Sequence, residues 1–188
     1  MKQTIILFLI IIQFISCGTN KKEMKIEENC YDVLYSVSYV TVVYDKRNIR
    51  LSQLLNEIKN NSKIDNDNIR EIEKLSIEIK KRVKVSLNKL NEKYKENKNE
   101  KIFEISLKYL SKVNDLEEKL PSFIKELSDN IPNTNFELKD LIKEYSIEVK
   151  SLGQTYHIAM NDYYKFHKIS DVKLDSIENV VEEKTKKH

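Results

Sequence analysis

Residues Tyr31 to Tyr44 read YDVLYSVSYVTVVY, and whether they form a strand or a helix decides the fold class of the whole chain. Tyrosine, valine and threonine suit a pleated, half-buried surface, and Tyr31, Val33, Tyr35, Val37 and Tyr39 alternate as a strand would. Yet Val33, Val37, Val40, Tyr44, Leu51, Leu54 and Ile58 recur at helical intervals, with Arg47 in the one missing position. No other stretch supplies a partner strand, and a lone strand leaves its backbone edges unpaired. The reading is therefore a helix over residues 30 to 59.

Helical spacing continues downstream. Asn60 to Asn68, NNSKIDNDN, is a polar turn of residues that compete for backbone hydrogen bonds, and Asn68 with Glu71 has capping-box spacing for a second helix. Ile69, Ile72, Leu75, Ile79, Val83, Leu87, Leu90 and Tyr94 then make one apolar stripe. Asn97-Lys98-Asn99 interrupts it before a third stripe, Phe103, Leu107, Leu110, Val113, Leu116, Leu120, Ile124 and Leu127. Pro121 lies within that third stripe and is expected to kink or restart the helix, because it lacks a backbone donor and crowds the preceding turn. After a turn around Pro132, with Thr134 and Glu137 again at capping-box spacing, comes the most regular pattern: Leu138, Ile142, Tyr145, Val149, Leu152, Tyr156, Ala159, Tyr163, Phe166. Alternating steps of four and three make this a heptad seam that must be buried against other helices. A short helix over 172 to 184, with Val172, Ile177 and Val180 or Val181 inward, leads to a tail ending at His188.

Composition agrees with helices. The chain has only two glycines, two prolines and no tryptophan, whereas sandwiches and barrels need frequent turns. The expected fold is all-α: an elongated antiparallel up-and-down bundle of about four long helices plus a short C-terminal one. The formal net charge of +3 is too near balance for a nucleic-acid binder, which needs a concentrated basic field.

The first seventeen residues, MKQTIILFLIIIQFISC, carry a different message. Lys2 supplies a positive start, Ile5 to Ile12 an apolar run too short to cross a ~30 Å hydrocarbon layer, and Ser16 a small residue before Cys17. Phe14-Ile15-Ser16-Cys17 resembles the bacterial lipobox, although Phe14 stands where that motif usually has leucine. The resemblance implies cleavage after residue 16, lipidation of Cys17 and anchoring in the bacterial cell envelope, with the outer membrane favoured. The membrane would then be a partner through the anchor, residues 17–29 a lipidated N-terminus and flexible tether, and residues 30–188 the bundle. Losing Lys2 lowers the net charge from +3 to +2. Cys30, left without a second cysteine, reads as a small apolar residue rather than half of a disulfide.

Catalytic and metal-binding patterns are weak. His157 and His167 are ten residues apart, not at the i, i+4 spacing of a chelating pair. No glycine-rich phosphate loop occurs, and no carboxylate occupies an apolar position where burial would tune it. Lys80, Lys81, Arg82 and Lys84 form a basic cluster that reads as a solvated helix face. The aromatic face of the fourth helix, Tyr156, His157, Tyr163, Tyr164 and His167, is the candidate binding face. Gly153 lies mid-helix, where it permits a close approach or a bend. The expectation is a non-enzymatic, lipid-anchored bundle without a cofactor that binds another envelope component or has a structural role. The alternative is an envelope sensor of small molecules or ions using that aromatic face.

Overall fold

The computed structural model describes residues 2–60, 65–98, 100–129 and 136–187, with side chains for 21–58, 60, 65–98, 100–125 and 147–187. The side chains of Cys17, Leu127, Leu138, Ile142 and Tyr145, and the turn holding Pro132 and Thr134, lie outside the described residues. Five helices make up the fold: α1 (Lys2–Lys59), α2 (Asn66–Glu96), α3 (Lys101–Asp129), α4 (Phe136–His167) and α5 (Asp171–Lys186). No strand occurs among the described residues. α1 packs on α2 and α5, α2 on α3, and α3 on α4. The long helices alternate in direction, as two contacts show: Asn29 meets Asn97 at the end of α2 at 3.3 Å, and Tyr109 early in α3 stacks on Tyr156 late in α4.

The helix through Tyr31–Tyr44 explains its strand-like alternation. Tyr31, Tyr35 and Tyr39 are successive one-turn neighbours whose rings stack at centroid distances of 5.9 and 5.6 Å. Val33 and Val37, also one turn apart, face the core and are buried. Two interleaved four-residue ladders thus imitate a period of two. Cations cover the tyrosine stack: the Arg82 guanidinium lies 4.3 Å from the Tyr39 ring centre and the Lys89 ammonium 5.1 Å from that of Tyr35.

Several boundaries differ from expectation. α1 runs unbroken through residues 17–29, the stretch read as a tether, and the packed body begins near Ile26 rather than at residue 30. Ile26 extends the stripe of Cys30 and Val33 by one turn, Asn29 is buried, and Glu27 and Glu28 pair with Lys173 and Lys93. α2 starts two residues before Asn68, because the Asp65 carboxylate caps it by accepting from the Asp67 N–H at 2.9 Å. Asn68 is instead buried and donates its amide to the Arg50 carbonyl at 3.2 Å. α3 continues through Pro121 without restarting, and Leu116, Leu120, Phe123 and Ile124 stay buried on both sides of it. Proline's missing donor leaves the carbonyl four residues back, that of Glu117, without its helical partner.

In α5, Val181 and Thr185 face inward and Ile177 is half-buried, while Val172 is 80 % exposed. α5 runs to Lys186, two residues past the expected end at Lys184, which donates to the Tyr31 hydroxyl at 3.0 Å.

The core is two apolar clusters separated by a charged layer. Tyr44, Ile79 and Leu116 belong to the larger cluster, and Leu51, Ile72 and Leu120 to the smaller. Between them lie Arg47, Ser76 and Glu117, all buried, with the guanidinium ion-paired to the carboxylate. The expectation that no carboxylate takes an apolar position therefore fails at Glu117, which stands between Val113 and Leu120 on the inward face of α3. Arg47 fills the gap in the α1 stripe because this carboxylate faces it. Burial raises the carboxyl pKa of Glu117, against the opposing pull of Arg47.

Candidate functional site

The seam of α4 delivers Val149, Tyr156, Met160 and Tyr163 to the interior, with Leu152 and Ala159 half-buried. Phe166, expected to continue it, is 81 % exposed. α3 begins at Lys101, level with His167, whose Nε2 lies 3.4 Å from Glu100 Oε1, so no neighbour remains to cover the last seam position.

The five aromatic-face residues divide between two places. Tyr156, His157 and Tyr164 line a cleft of about 460 Å³ formed by α1, α3, α4 and α5. Leu34, Val37, Ser38, Thr41 and Asp45 come to it from α1, Tyr109 from α3 and Glu178 from α5. Tyr163 faces elsewhere, donating to the Ile26 carbonyl at 3.3 Å and packing against His167 at a centroid distance of 4.3 Å. With Ile102, Ile105, Ile158 and Phe166 it borders a broader trough of about 590 Å³ between α3 and α4.

Within the cleft, the rings of Tyr109 and Tyr156 are stacked at 6.1 Å with planes 15° apart, and His157 meets Tyr156 edge-on at 5.3 Å. Tyr156 is only 4 % exposed and Tyr109 7 %, and both line the cleft. A phenol on a cavity wall offers both a donor and an acceptor to a guest. Burial holds both phenols above their usual pKa, Tyr156 well above, so both stay neutral. Tyr164 hydrogen-bonds the buried Cys30 sulfur, whose pKa burial pushes up to about 12, leaving an inert thiol.

Gly153 gives the cleft one of its walls. A Cβ built there would lie 3.6 Å from Tyr109 Cε2 and 4.0 Å from Cζ, which is ordinary contact. The glycine therefore leaves open space over the tyrosine ring and is not forced by a clash. Sequence reading located Tyr156, His157, Tyr164 and Gly153 but missed Tyr109, Asp45, Asn161 and Glu178, which lie off the apolar stripes and meet only through packing.

The basic cluster of α2 also divides. Arg82 is buried, its Nη1 donating to the Tyr39 carbonyl at 2.9 Å and its Nε to Glu78 at 2.7 Å. Lys80, Lys81 and Lys84 border a shallow depression with Asn114 and Glu118. Among the described residues no three His, Cys, Asp or Glu side chains converge as a metal site would require, and no helix is long and apolar enough to cross a membrane.

Comparison with protein-family models, curated proteins and solved structures finds no match for this chain.

Proposed function

We propose that this is a lipid-anchored envelope protein that works by binding rather than catalysis, with the cleft between α1, α3, α4 and α5 as its binding site. The single observation that carries the reading is that two buried, stacked tyrosines, Tyr109 and Tyr156, line one cavity of about 460 Å³. That volume is in the range of small-molecule sites, and apolar Leu34, Val37 and Met160 share the wall with convergent polar groups that would orient a guest.

The anchor rests on Lys2, the apolar run and Ser16-Cys17. Acyl chains contribute about 0.8 kcal/mol per buried CH₂, and two or more make a durable hold. At ~1.5 Å rise per residue, α1 carries the cleft about 25 to 40 Å beyond Cys17, clear of a head-group layer. Replacing Cys17 with Ala should release the protein from membranes, and retention in the membrane fraction would refute the anchor.

The binding role is tested by thermal melting of the full chain in detergent against a metabolite panel. A ligand that raises the melting temperature by several degrees, and loses that effect when Asn161→Trp plugs the cleft, is the expected result. A panel-wide absence of shift would speak for a purely structural role.

A further inference from the structure

We infer that the cleft takes an organic ammonium ion, a substituted amine carrying a positive charge on nitrogen; this rests on the reading of the cleft as the binding site. Three features point there. Its polar wall is acidic and aromatic: Asp45 on α1 and Glu178 on α5 contribute carboxylates, and Tyr109, Tyr156 and Tyr164 contribute rings. Lysine and arginine make up 33 of the 188 residues, yet none lines this cleft. Neither Asp45 nor Glu178 has an ion-pair or hydrogen-bond partner among the described residues, although lysines throughout the rest of the bundle pair with nearby carboxylates.

The placement of these charges matters. Asp45 from α1 and Glu178 from α5 thus bring negative charge to the cleft from two different helices, and the first acts on Tyr109 and the second on Tyr156 and Tyr164. A cation over a tyrosine face is attracted by the ring quadrupole, more strongly as water is excluded, and a carboxylate alongside compensates its charge. The hydroxyl oxygens of the wall tyrosines Tyr109 and Tyr156 would accept N–H bonds from a primary ammonium, whereas a quaternary ammonium uses only the rings and carboxylates. An anion would meet two uncompensated carboxylates and no cation, so the same wall rejects it.

Calorimetric titration of the full chain in detergent with choline, with cadaverine and with 3,3-dimethylbutanol, the neutral isostere of choline, tests this. At least one of the two cations is expected to bind at least tenfold more tightly than the alcohol. Asp45→Asn and Glu178→Gln, both at exposed positions, should weaken that cation about tenfold each without lowering the melting temperature. Tyr156→Phe should weaken cadaverine and spare choline, separating the primary from the quaternary class. Equal affinity for choline and its neutral isostere, or indifference to both carboxylate variants, would overturn the inference. Binding of a neutral or anionic metabolite that Asn161→Trp abolishes, with no binding of either cation, would also overturn it while leaving the binding role intact. Silence in both ligand sets would remove both.

Discussion

Arg47 and Glu117, seventy positions apart in the chain, form an ion pair whose side chains are 1 % and 0 % exposed. The guanidinium also donates to Asn48 Oδ1 at 2.8 Å and lies 4.6 Å from the Tyr44 ring centre. Even so, Arg47 Nε and Glu117 Oε2 have no hydrogen-bond partner. The pair is thus buried but incompletely satisfied, the arrangement in which desolvation can outweigh attraction.

Removing one partner strands the other charge in the core. Arg47→Met or Glu117→Leu alone should lower the unfolding free energy by about 3–5 kcal/mol, whereas the double variant should be near neutral or more stable than the parent. Urea unfolding of the four proteins measures the coupling. A double variant clearly less stable than the parent would show that the pair contributes net stability, and one as unstable as the sum of the singles would show no coupling between the two residues.

Pro121 is exposed on the outer side of α3 and leaves the Glu117 carbonyl without its helical donor. Pro121→Ala restores that hydrogen bond and should stabilise the protein by about 1–3 kcal/mol, less the 0.4–1 or so that proline contributes by restricting the unfolded chain. A fall in the urea midpoint would show that the bend is required for packing around the charged layer.

Gly153→Ala removes a mid-helix glycine and adds a methyl at ordinary contact distance from Tyr109. The expected gain is about 1 kcal/mol, or roughly 2–4 °C in melting temperature for a protein of this size. Because the methyl projects into the cleft, ligand affinity should fall in the same variant. Higher stability with unchanged affinity would place the ligand elsewhere.

Alkaline pH should unfold the protein. Cys30 is raised from 9.0 to about 12, and Tyr109, Tyr156, Tyr163 and Tyr164 are all raised above 10.0, in each case chiefly by burial. The folded state keeps protons that the unfolded state loses, so these groups contribute fully below about pH 9 and stability declines as pH rises through 9 to 12. Urea midpoints between pH 8 and 11, with phenolate absorbance recorded alongside, check this. A midpoint constant across that range would contradict it.

Apolar recurrence at three and four residues was enough to read helices rather than strands, the order of the long helices and most of their inward faces, from Val33 to Leu54, Ile72 to Leu90 and Phe103 to Ile124. Periodicity is a property of consecutive residues, so local sequence carries it. Even Gly153 and the aromatic face around Tyr156 were legible as departures from the pattern. What tertiary structure alone decided is which polar residues are enclosed. Glu117 looks like any surface carboxylate until α1 brings Arg47 to face it, and Asp45, Tyr109 and Glu178 belong to three helices that no spacing rule connects. The end of the seam was equally invisible, since Phe166 is exposed only because α3 begins where α4 stops. Burial of a charge and the walls of a cleft depend on what a distant part of the chain presents across the interface, and that complementarity is set by packing, not by neighbours in sequence.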